Sequence, residues 1–346
     1  MRATRNFGFR VLSLEPLGHA QSQFNLSKDR VEPETRDAQL ETSCKLDFCR
    51  TRGLVAVKAI MTIRSFDLLQ PRSLAEASEL LLKHRDEARP IAGGTTLVIL
   101  MKQRAVHYPY LVDLQSIPGL NQIAQEADGI RIGALVTQRA VELSPLVRNS
   151  FSVVAEAFSR IGNVRVRETA SVGGNLAHAD YRLDPPPPLL LLKSEVTLFG
   201  PGGTRVIPLK NFFKGMYETA LEPGEILVDV KVPYMPPGSK AVYLRHSALS
   251  ANDWPCLGVA AFVSKENGRV RELRLALSGV AATPVSVVGL EFVRDCSLDD
   301  SVLDRILSVV DEQIAPFSDL RGSEWYKRRM ARVFVKRAIA QLESQA

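Results

Sequence analysis

The sequence has 346 residues, of which 45% are hydrophobic and 24% charged, and its formal net charge is +6. This balance is typical of a folded globular chain of two or three domains, and it excludes a wholly disordered protein, a fibrous repeat and a disulfide scaffold. A membrane-spanning helix needs about 20 largely apolar residues. Because the sequence has no such run, we also expect no transmembrane segment.

Residues 1–60 differ from the rest of the chain. They are polar and mixed in charge, and no apolar periodicity lasts beyond one helical turn. The apolar run at 11–14 is too short for the core of a secretory signal peptide, which needs roughly 7–15 residues. We therefore expect a disordered or spurious extension, and a folded chain that begins at Met61.

From residue 66 the pattern alternates between short apolar runs and amphipathic segments. Ser73 is a good N-cap for a first helix, and Thr95 or Thr96 can cap a second. The predicted strands span residues 66–69, 89–92, 110–114 and 129–134, and the predicted helices between them span 74–84 and 97–104. This alternation predicts an α/β or α+β core.

The second half of the chain falls into two groups of elements. A long helix is predicted over 146–160, and a glycine-rich stretch then leads to the prolines at 185–188. Strands are predicted at 195–199, 205–208 and 225–232, with a hairpin turn at 200–203. Residues 233–239 are rich in proline and predict a linker. Beyond it, strands at 241–245, 256–264 and 269–277 and helices at 303–314 and 325–342 predict a separate α+β unit.

Two glycine-rich turns are candidate binding sites. The first lies where a strand turns into a helix, and its residues are Ala92, Gly93, Gly94, Thr95, Thr96 and Leu97. Glycines let backbone amides approach an anion, and threonine hydroxyls add hydrogen-bond donors. A tight strand-to-helix turn with an N-cap explains the same residues without a ligand.

The second turn consists of Ser171, Val172, Gly173, Gly174 and Asn175. Its paired glycines and asparagine offer an unblocked main chain, and Asp180 and Asp184 follow as acceptors for a heterocyclic N–H. The alternative is a plain turn between two strands. Two such turns in one α/β region favour a dinucleotide, because one long ligand can lie across both.

Other signatures of cofactor binding and catalysis are missing from the sequence. It has no G-x-G-x-x-G, no Walker-type loop, no G-x-S-x-G elbow and no H-E-x-x-H. His178 and His246 are candidate ligand neighbours, although an ordinary structural role is favoured for both. Four cysteines without metal spacing indicate a reducing, cytoplasmic location and no metal. They are Cys44, Cys49, Cys256 and Cys296.

The net positive charge does not indicate a nucleic-acid binder. The densest basic cluster surrounds an apolar seam near the C-terminus, which predicts an amphipathic helix with a solvated basic face. Its members are Lys327, Arg328, Arg329, Arg332, Lys336 and Arg337. Since no other basic footprint accompanies them, we expect no nucleic-acid partner.

Five motifs follow one another along the chain. They are FDLLQPRSLAEA at 66–77, AGGTTLV at 92–98, RETASVGGNLAHAD at 167–180, ETALEPGEIL at 218–227 and NDWPCLGVAA at 252–261. As an ordered set over roughly residues 61–340, they resemble the FAD-binding medium subunits of molybdenum hydroxylases. That family includes carbon monoxide dehydrogenase and the flavin domain of xanthine dehydrogenase.

The resemblance implies an α+β architecture. A flavin-binding domain of the p-cresol methylhydroxylase type, with two α/β subdomains, would span 61–236. A C-terminal α+β domain of the CO dehydrogenase flavoprotein type would span 240–346. By the same resemblance, the first turn holds the FAD pyrophosphate, the second turn is the other FAD loop, Asp184 faces the flavin ring and Arg245 lies near it. The chain departs from the family at Tyr181, Arg182, Leu183 and Pro185, where Pro-Ala-Ala/Ser and Leu are more usual.

The resemblance also implies a function. Non-covalent FAD would take electrons from two [2Fe–2S] clusters on a small partner subunit, while a large partner subunit would bind molybdopterin and oxidise the substrate. The flavin would then reduce NAD⁺, a quinone or another acceptor, within a dimer of heterotrimers. The lack of a recognisable catalytic acid, base or nucleophile agrees with this, because the redox chemistry belongs to the cofactor. A self-sufficient flavin oxidase of the same fold and a non-enzymatic interaction subunit are the alternatives.

Overall fold

The computed structural model describes residues 63–344, so the predicted extension at 1–60 lies outside the described residues. The described chain begins with a parallel three-stranded sheet in the order β1-β3-β2, in which two helices make the crossovers. Its elements are β1 (Asp67–Leu69), α1 (Leu74–His84), β2 (Ala88–Ile91), α2 (Leu97–Lys102) and β3 (Tyr110–Asp113). All five confirm the sequence prediction, with small differences at their ends.

Helix α1 shows how local sequence sets the bounds of an element. The Ser73 hydroxyl accepts a hydrogen bond from the Glu76 amide at 3.1 Å. The Glu76 carboxylate accepts one in return from the Arg72 amide at 2.7 Å. This exchange satisfies donors that a helix N-terminus leaves unpaired. The buried face of the helix, which includes Ala77 and Leu81, then packs into a small core beneath the sheet.

A second, antiparallel sheet has five strands in the order β4-β5-β10-β6-β7. Its strands, and the small hairpin β8–β9 beside it, are β4 (Ile123–Glu126), β5 (Gly129–Gly133), β6 (Glu195–Gly200), β7 (Gly203–Pro208), β8 (Phe213–Gly215), β9 (Glu218–Thr219) and β10 (Ile226–Pro233). The predicted turn at 200–203 is confirmed, because Gly200 pairs with Gly203. Strand β4 was not predicted, since it holds few strongly apolar residues.

Six helices lie between β5 and β6 in the chain, and all of them except α6 contribute buried residues to the core of the second sheet. They are α3 (Gln138–Leu143), α4 (Pro145–Ser150), α5 (Ser152–Ser159), α6 (Val164–Thr169), α7 (Val172–His178) and α8 (Pro186–Leu191). The prediction of one helix over 146–160 is wrong. Phe151 has φ −141° and ψ 48°, outside the helical region, and separates α4 from α5. Its fully buried ring stacks on the ring of Tyr234, with the two centroids 5.4 Å apart. This tertiary packing is favoured over a continuous helix.

The C-terminal part contains a four-stranded antiparallel sheet in the order β11-β12-β13-β14, with two helices that share its core. The elements are β11 (Ser239–His246), β12 (Leu257–Glu266), β13 (Arg269–Ser278), β14 (Val285–Ser286), α9 (Asp300–Gln313) and α10 (Glu324–Ser344). Three strands and both helices confirm the prediction, and the short β14 was not predicted. The placement of Lys327 on a solvated face is wrong, because its side chain has no exposed surface.

Removing the Ser73 cap tests the account of helix α1. Loss of an N-cap typically costs about 1 kcal/mol, so we expect Ser73→Ala to lower the free energy of unfolding by about that amount in urea denaturation. Ser308→Ala is the control, because the Ser308 hydroxyl only returns to the Asp304 carbonyl of its own helix. We expect the control to change stability by less than about 0.5 kcal/mol. Equal losses in both variants would contradict the capping role.

Candidate cofactor site

The first glycine turn joins β2 to α2, and all its residues from 92 to 97 are partly exposed. The side chain of Gln115 donates to the Ala92 carbonyl at 3.0 Å and fixes the start of the turn. Gly94 has φ +66°, in the region that favours glycine. Thr96 directly precedes α2, but its hydroxyl makes no capping hydrogen bond. Helix capping therefore does not account for this threonine.

Four backbone amides of this turn have no acceptor among the described residues. They belong to Gly93, Gly94, Thr95 and Thr96. Backbone N–H groups are almost always paired, with the protein, with water or with a ligand. Four consecutive open donors in a glycine turn can together bind an anionic group such as a phosphate.

The second glycine turn has the opposite hydrogen-bond pattern. Ser171 is the N-cap of α7, and its hydroxyl accepts from the Gly174 amide at 3.1 Å. The amides of Val172 and Gly173 donate to carbonyl oxygens of the segment after β5, at 2.9 and 2.8 Å. The sequence predicted an unblocked main chain here. At these two residues that prediction is wrong, because both amides are already hydrogen-bonded within the protein. The alternative of a plain turn between two strands is also wrong, because Val172–His178 is helical.

Three neighbouring residues of this turn have different surroundings. A Cβ at Gly173 would lie 2.6 Å from the Cβ of Ala134, so this glycine is required for packing. Gly174 is exposed, and the one described atom near an added Cβ there is the Ser171 Oγ, at 2.9 Å. The Oδ1 of Asn175 is buried and has no hydrogen-bond partner among the described residues. Gly174 thus permits close approach, and Asn175 offers an acceptor to a donor from outside the chain.

The two glycine turns lie side by side. A Cβ at Gly93 would come within 1.9 Å of the Thr169 carbonyl oxygen and 3.0 Å of the Ala170 Cα. The backbone of the first turn therefore packs directly on the residues that lead into the second. No other amino acid permits this approach, because every other residue carries a Cβ. The structure thus brings the two predicted turns together, as one ligand spanning both requires.

Asp184 and Arg245 form a buried ion pair with each other. The Arg245 Nε and the Tyr243 hydroxyl both donate to the Asp184 Oδ1, at 2.9 and 2.7 Å. Only 4% of the Asp184 side chain and 7% of the Arg245 side chain are exposed. Arg245 also donates to the Ser247 hydroxyl at 2.6 Å. Among the described residues no donor reaches the second carboxylate oxygen, Oδ2, so that Asp184 keeps a free acceptor.

A second polar cluster follows α7 and was not predicted as a unit. Asp180 accepts two hydrogen bonds from the guanidinium of Arg182, at 2.9 and 2.7 Å, and one from the Tyr217 hydroxyl at 3.1 Å. Burial would raise the pKa of Asp180, but the pairing with Arg182 outweighs it and lowers that pKa. The His178 ring lies 5.2 Å from that of Tyr217, and burial lowers its pKa. In the sequence, the one sign of this polar cluster was the short spacing between Asp180 and Arg182.

The remaining candidate residues, His246, Cys256 and Cys296, have the surroundings of residues that stabilise the fold. The His246 ring makes a 2.9 Å hydrogen bond with the Tyr326 hydroxyl and packs on Phe334 of the C-terminal core. Cys256 is a buried free thiol and Cys296 a half-buried one. Between residues 63 and 344 we find no group of three or more His, Cys, Asp or Glu able to hold a metal ion. No helix in that span is long and apolar enough to cross a membrane.

Comparison with known proteins identifies two family models along the chain. Residues 64–235 match the FAD binding domain in molybdopterin dehydrogenase, and residues 242–342 match the CO dehydrogenase flavoprotein C-terminal domain. The carbon monoxide dehydrogenase medium chain of Afipia carboxidovorans is 32% identical over 284 residues, which cover 82% of this chain and 98% of that one. A putative xanthine dehydrogenase FAD-binding subunit of Escherichia coli is 27% identical over 277 residues, covering 79% and 94%.

A solved structure gives the same result for the fold. A chain of the carbon monoxide dehydrogenase from Hydrogenophaga pseudoflava superimposes with a TM-score of 0.79 at 30% sequence identity. The match covers 82% of this chain and 99% of that chain. The α+β architecture expected from the sequence is therefore confirmed.

The buried Asp184 carboxyl predicts a pH dependence of stability. Burial raises its pKa from the ordinary 3.8 to about 6, despite the adjacent Arg245. The folded chain thus holds this proton more tightly than the unfolded chain, so the stability that Asp184 contributes is present below about pH 4 and is lost as the pH rises through about 6. Asp184→Asn keeps an acceptor but cannot ionise. As the pH rises from about 4.5 to 7.5, we expect the free energy of unfolding of Asp184→Asn, measured relative to that of wild type by chemical unfolding, to increase by roughly 1–3 kcal/mol. A difference that does not change with pH would contradict this.

Proposed function

This chain belongs to the family of FAD-binding subunits of molybdenum hydroxylases, and we propose that it relays electrons through FAD bound non-covalently across its two glycine turns. The electrons would come from the [2Fe–2S] clusters of a small partner subunit and pass to NAD⁺, a quinone or another acceptor. We propose the matching domain division, with FAD binding in 61–236 and a C-terminal domain in 240–346. Membership of this family makes the chain an oxidoreductase subunit.

The open amides of the first turn carry this proposal. A pyrophosphate is a compact anion, and consecutive backbone N–H groups bind such anions without a lysine or a metal from the chain. Residues 92–97 would hold the pyrophosphate, with the hydroxyls of Thr95 and Thr96 as further donors. The hydrogen bond from Gln115 to the Ala92 carbonyl keeps the turn in the conformation that aligns these donors.

The second turn would provide a rigid wall. The start of its helix is fixed, through the amides of Val172 and Gly173, to the segment that follows β5 of the second sheet. The exposed Gly174 lets the cofactor come close to the main chain, and the unpartnered Asn175 Oδ1 would accept a hydrogen bond from it. We propose that Asp184 faces the flavin ring and that Arg245 orients its carboxylate. When bound, FAD supplies the redox chemistry itself, as the acceptor and donor of electrons.

The names of the relatives support partner subunits. Several are medium chains or medium subunits, which implies larger and smaller companions. We infer that a large subunit bearing molybdopterin and a small subunit bearing [2Fe–2S] clusters assemble with this chain as a dimer of heterotrimers in the cytoplasm. The low cysteine content supports this division of cofactors, because two [2Fe–2S] clusters need about eight ligands and the chain has four cysteines.

Substitution at Gly174 tests the cofactor site. A Val side chain there would occupy the surface where the cofactor approaches, so we expect Gly174→Val to give folded protein whose FAD content falls at least about tenfold. Gly202→Val is the matched control, because a Cβ at Gly202 in the β6–β7 turn meets no described atom within 4 Å. The measurement is flavin absorbance per chain after gel filtration, with circular dichroism to check folding. A wild-type flavin content in Gly174→Val would refute the site.

Purification from the native source tests the relay role. We expect a complex with a larger and a smaller chain, and FAD that is released into solution on acid precipitation. The isolated chain should oxidise no purine, aldehyde or carbon monoxide, because it lacks a molybdenum centre to activate them. A lone chain that turns over an organic substrate would instead establish the self-sufficient flavin oxidase. A colourless lone chain would favour the interaction subunit.

A further inference from the structure

Lys327 is a lysine without any exposed surface. Its Nζ lies 2.8 Å from the Asp319 Oδ2, and 0% of its side chain is accessible to solvent. The ammonium group also lies over the ring of Phe317, at 5.1 Å from its centroid. A buried charge persists only when it is paired, and loss of one partner leaves the other uncompensated. Lys327 therefore holds Asp319 in one place near the start of α10.

The same carboxylate oxygen of Asp319 also accepts a hydrogen bond from the Tyr181 hydroxyl at 2.6 Å. Burial and this hydrogen bond raise the pKa of Tyr181, which keeps its hydroxyl protonated. Burial would also raise the pKa of Asp319, but Lys327 and Tyr181 outweigh it and lower that pKa. The hydroxyl is thus the donor, and the ionised carboxylate is the acceptor. The contacts form a continuous chain from Lys327 through Asp319 to Tyr181.

Tyr181 belongs to the segment 180–184, which joins α7 to α8. Its backbone carbonyl accepts the Gly279 amide at 2.8 Å, and its ring lies 4.7 Å from that of Phe317. Asp184, at the other end of the segment, is held by strand β11. The C-terminal part of the chain therefore contacts this segment at Tyr181, at Asp184 and at Arg182, whose guanidinium lies 5.2 Å from the centroid of the Trp254 ring. The contact at Asp184 orients that carboxylate directly, and the contact at Tyr181 fixes the backbone that leads to it.

We propose that Lys327, through Asp319 and the Tyr181 hydroxyl, is a positioning residue that holds segment 180–184, and with it Asp184, in place beside bound FAD. This inference rests on the proposed FAD site. The energy between two charges depends on their separation, so a displaced Asp184 carboxylate changes the free energy of placing electrons on the flavin. The effect appears in the flavin potential and in FAD affinity, without any contact between Lys327 and the cofactor.

The experiment uses the full chain loaded with FAD. Tyr181→Phe removes one hydroxyl and keeps the ring, Lys327→Met removes the charge, and Lys327→Arg keeps it. Leu342→Ala is the control for stability, because Leu342 is fully buried in the same helix but belongs to the apolar C-terminal core. Titrations of FAD binding, flavin midpoint potentials and thermal unfolding are measured for all four variants.

We expect Tyr181→Phe to change the ratio of the affinities for oxidised and reduced FAD about tenfold. This change corresponds to a shift of about 30 mV in the two-electron midpoint potential of the flavin. Lys327→Met should shift the potential in the same direction, and Lys327→Arg should restore it. Leu342→Ala should unfold at lower temperature with an unchanged potential.

If Tyr181→Phe behaves like Leu342→Ala, with lower stability but the affinity and potential of wild type, the positioning role is overturned while the FAD site stands. If the wild-type chain itself binds no FAD, the proposed function fails, and this inference fails with it. If Lys327→Met does not fold, Tyr181→Phe decides the question alone.

Discussion

The candidate site depends on the close contact between Gly93 and the carbonyl of Thr169. An added Cβ would lie 1.9 Å from that oxygen, so the two backbones touch only because residue 93 has no side chain. The contact joins the turn that follows β2 of the parallel sheet to Thr169, the last residue of α6, which lies two residues before the N-cap of α7. Every larger residue would push the first turn away from the second. The separation of the two turns, and hence the size of ligand that can lie across both, follows from this one contact.

The two turns would contribute to binding in different ways. In the second turn the amides of Val172 and Gly173 are bound to the protein, so the start of helix α7 is held against the segment that follows β5 of the five-stranded sheet. In the first turn the amides remain open, and their alignment is maintained by neighbours such as Gln115. One turn therefore provides a fixed surface and the other provides donors. A site built in this way needs little rearrangement on binding, which favours affinity because less conformational freedom is lost.

Local chemistry was readable from the sequence, and long-range partners were not. Ser73 predicted the start of α1 because an N-cap acts within its own turn of helix. The glycine turns were recognisable because close backbone approach demands glycine. The break at Phe151 depends on a distant ring, and the burial of Lys327 depends on Asp319, which in turn accepts from a tyrosine 138 residues away. Periodicity placed Lys327 correctly on a helix, but no local pattern distinguishes a paired lysine from a solvated one.

The strand order of the five-stranded sheet constrains how the chain is made. Strand β10 lies between β5 and β6, although it follows both in sequence. During synthesis the hairpins β4–β5 and β6–β7 emerge first, and each then carries one apolar strand with an unpaired edge. Such edges pair readily with other chains. The ribosome must therefore release β10, Ile226–Pro233, before the sheet can close. Until then, the nascent protein is at its most vulnerable to aggregation.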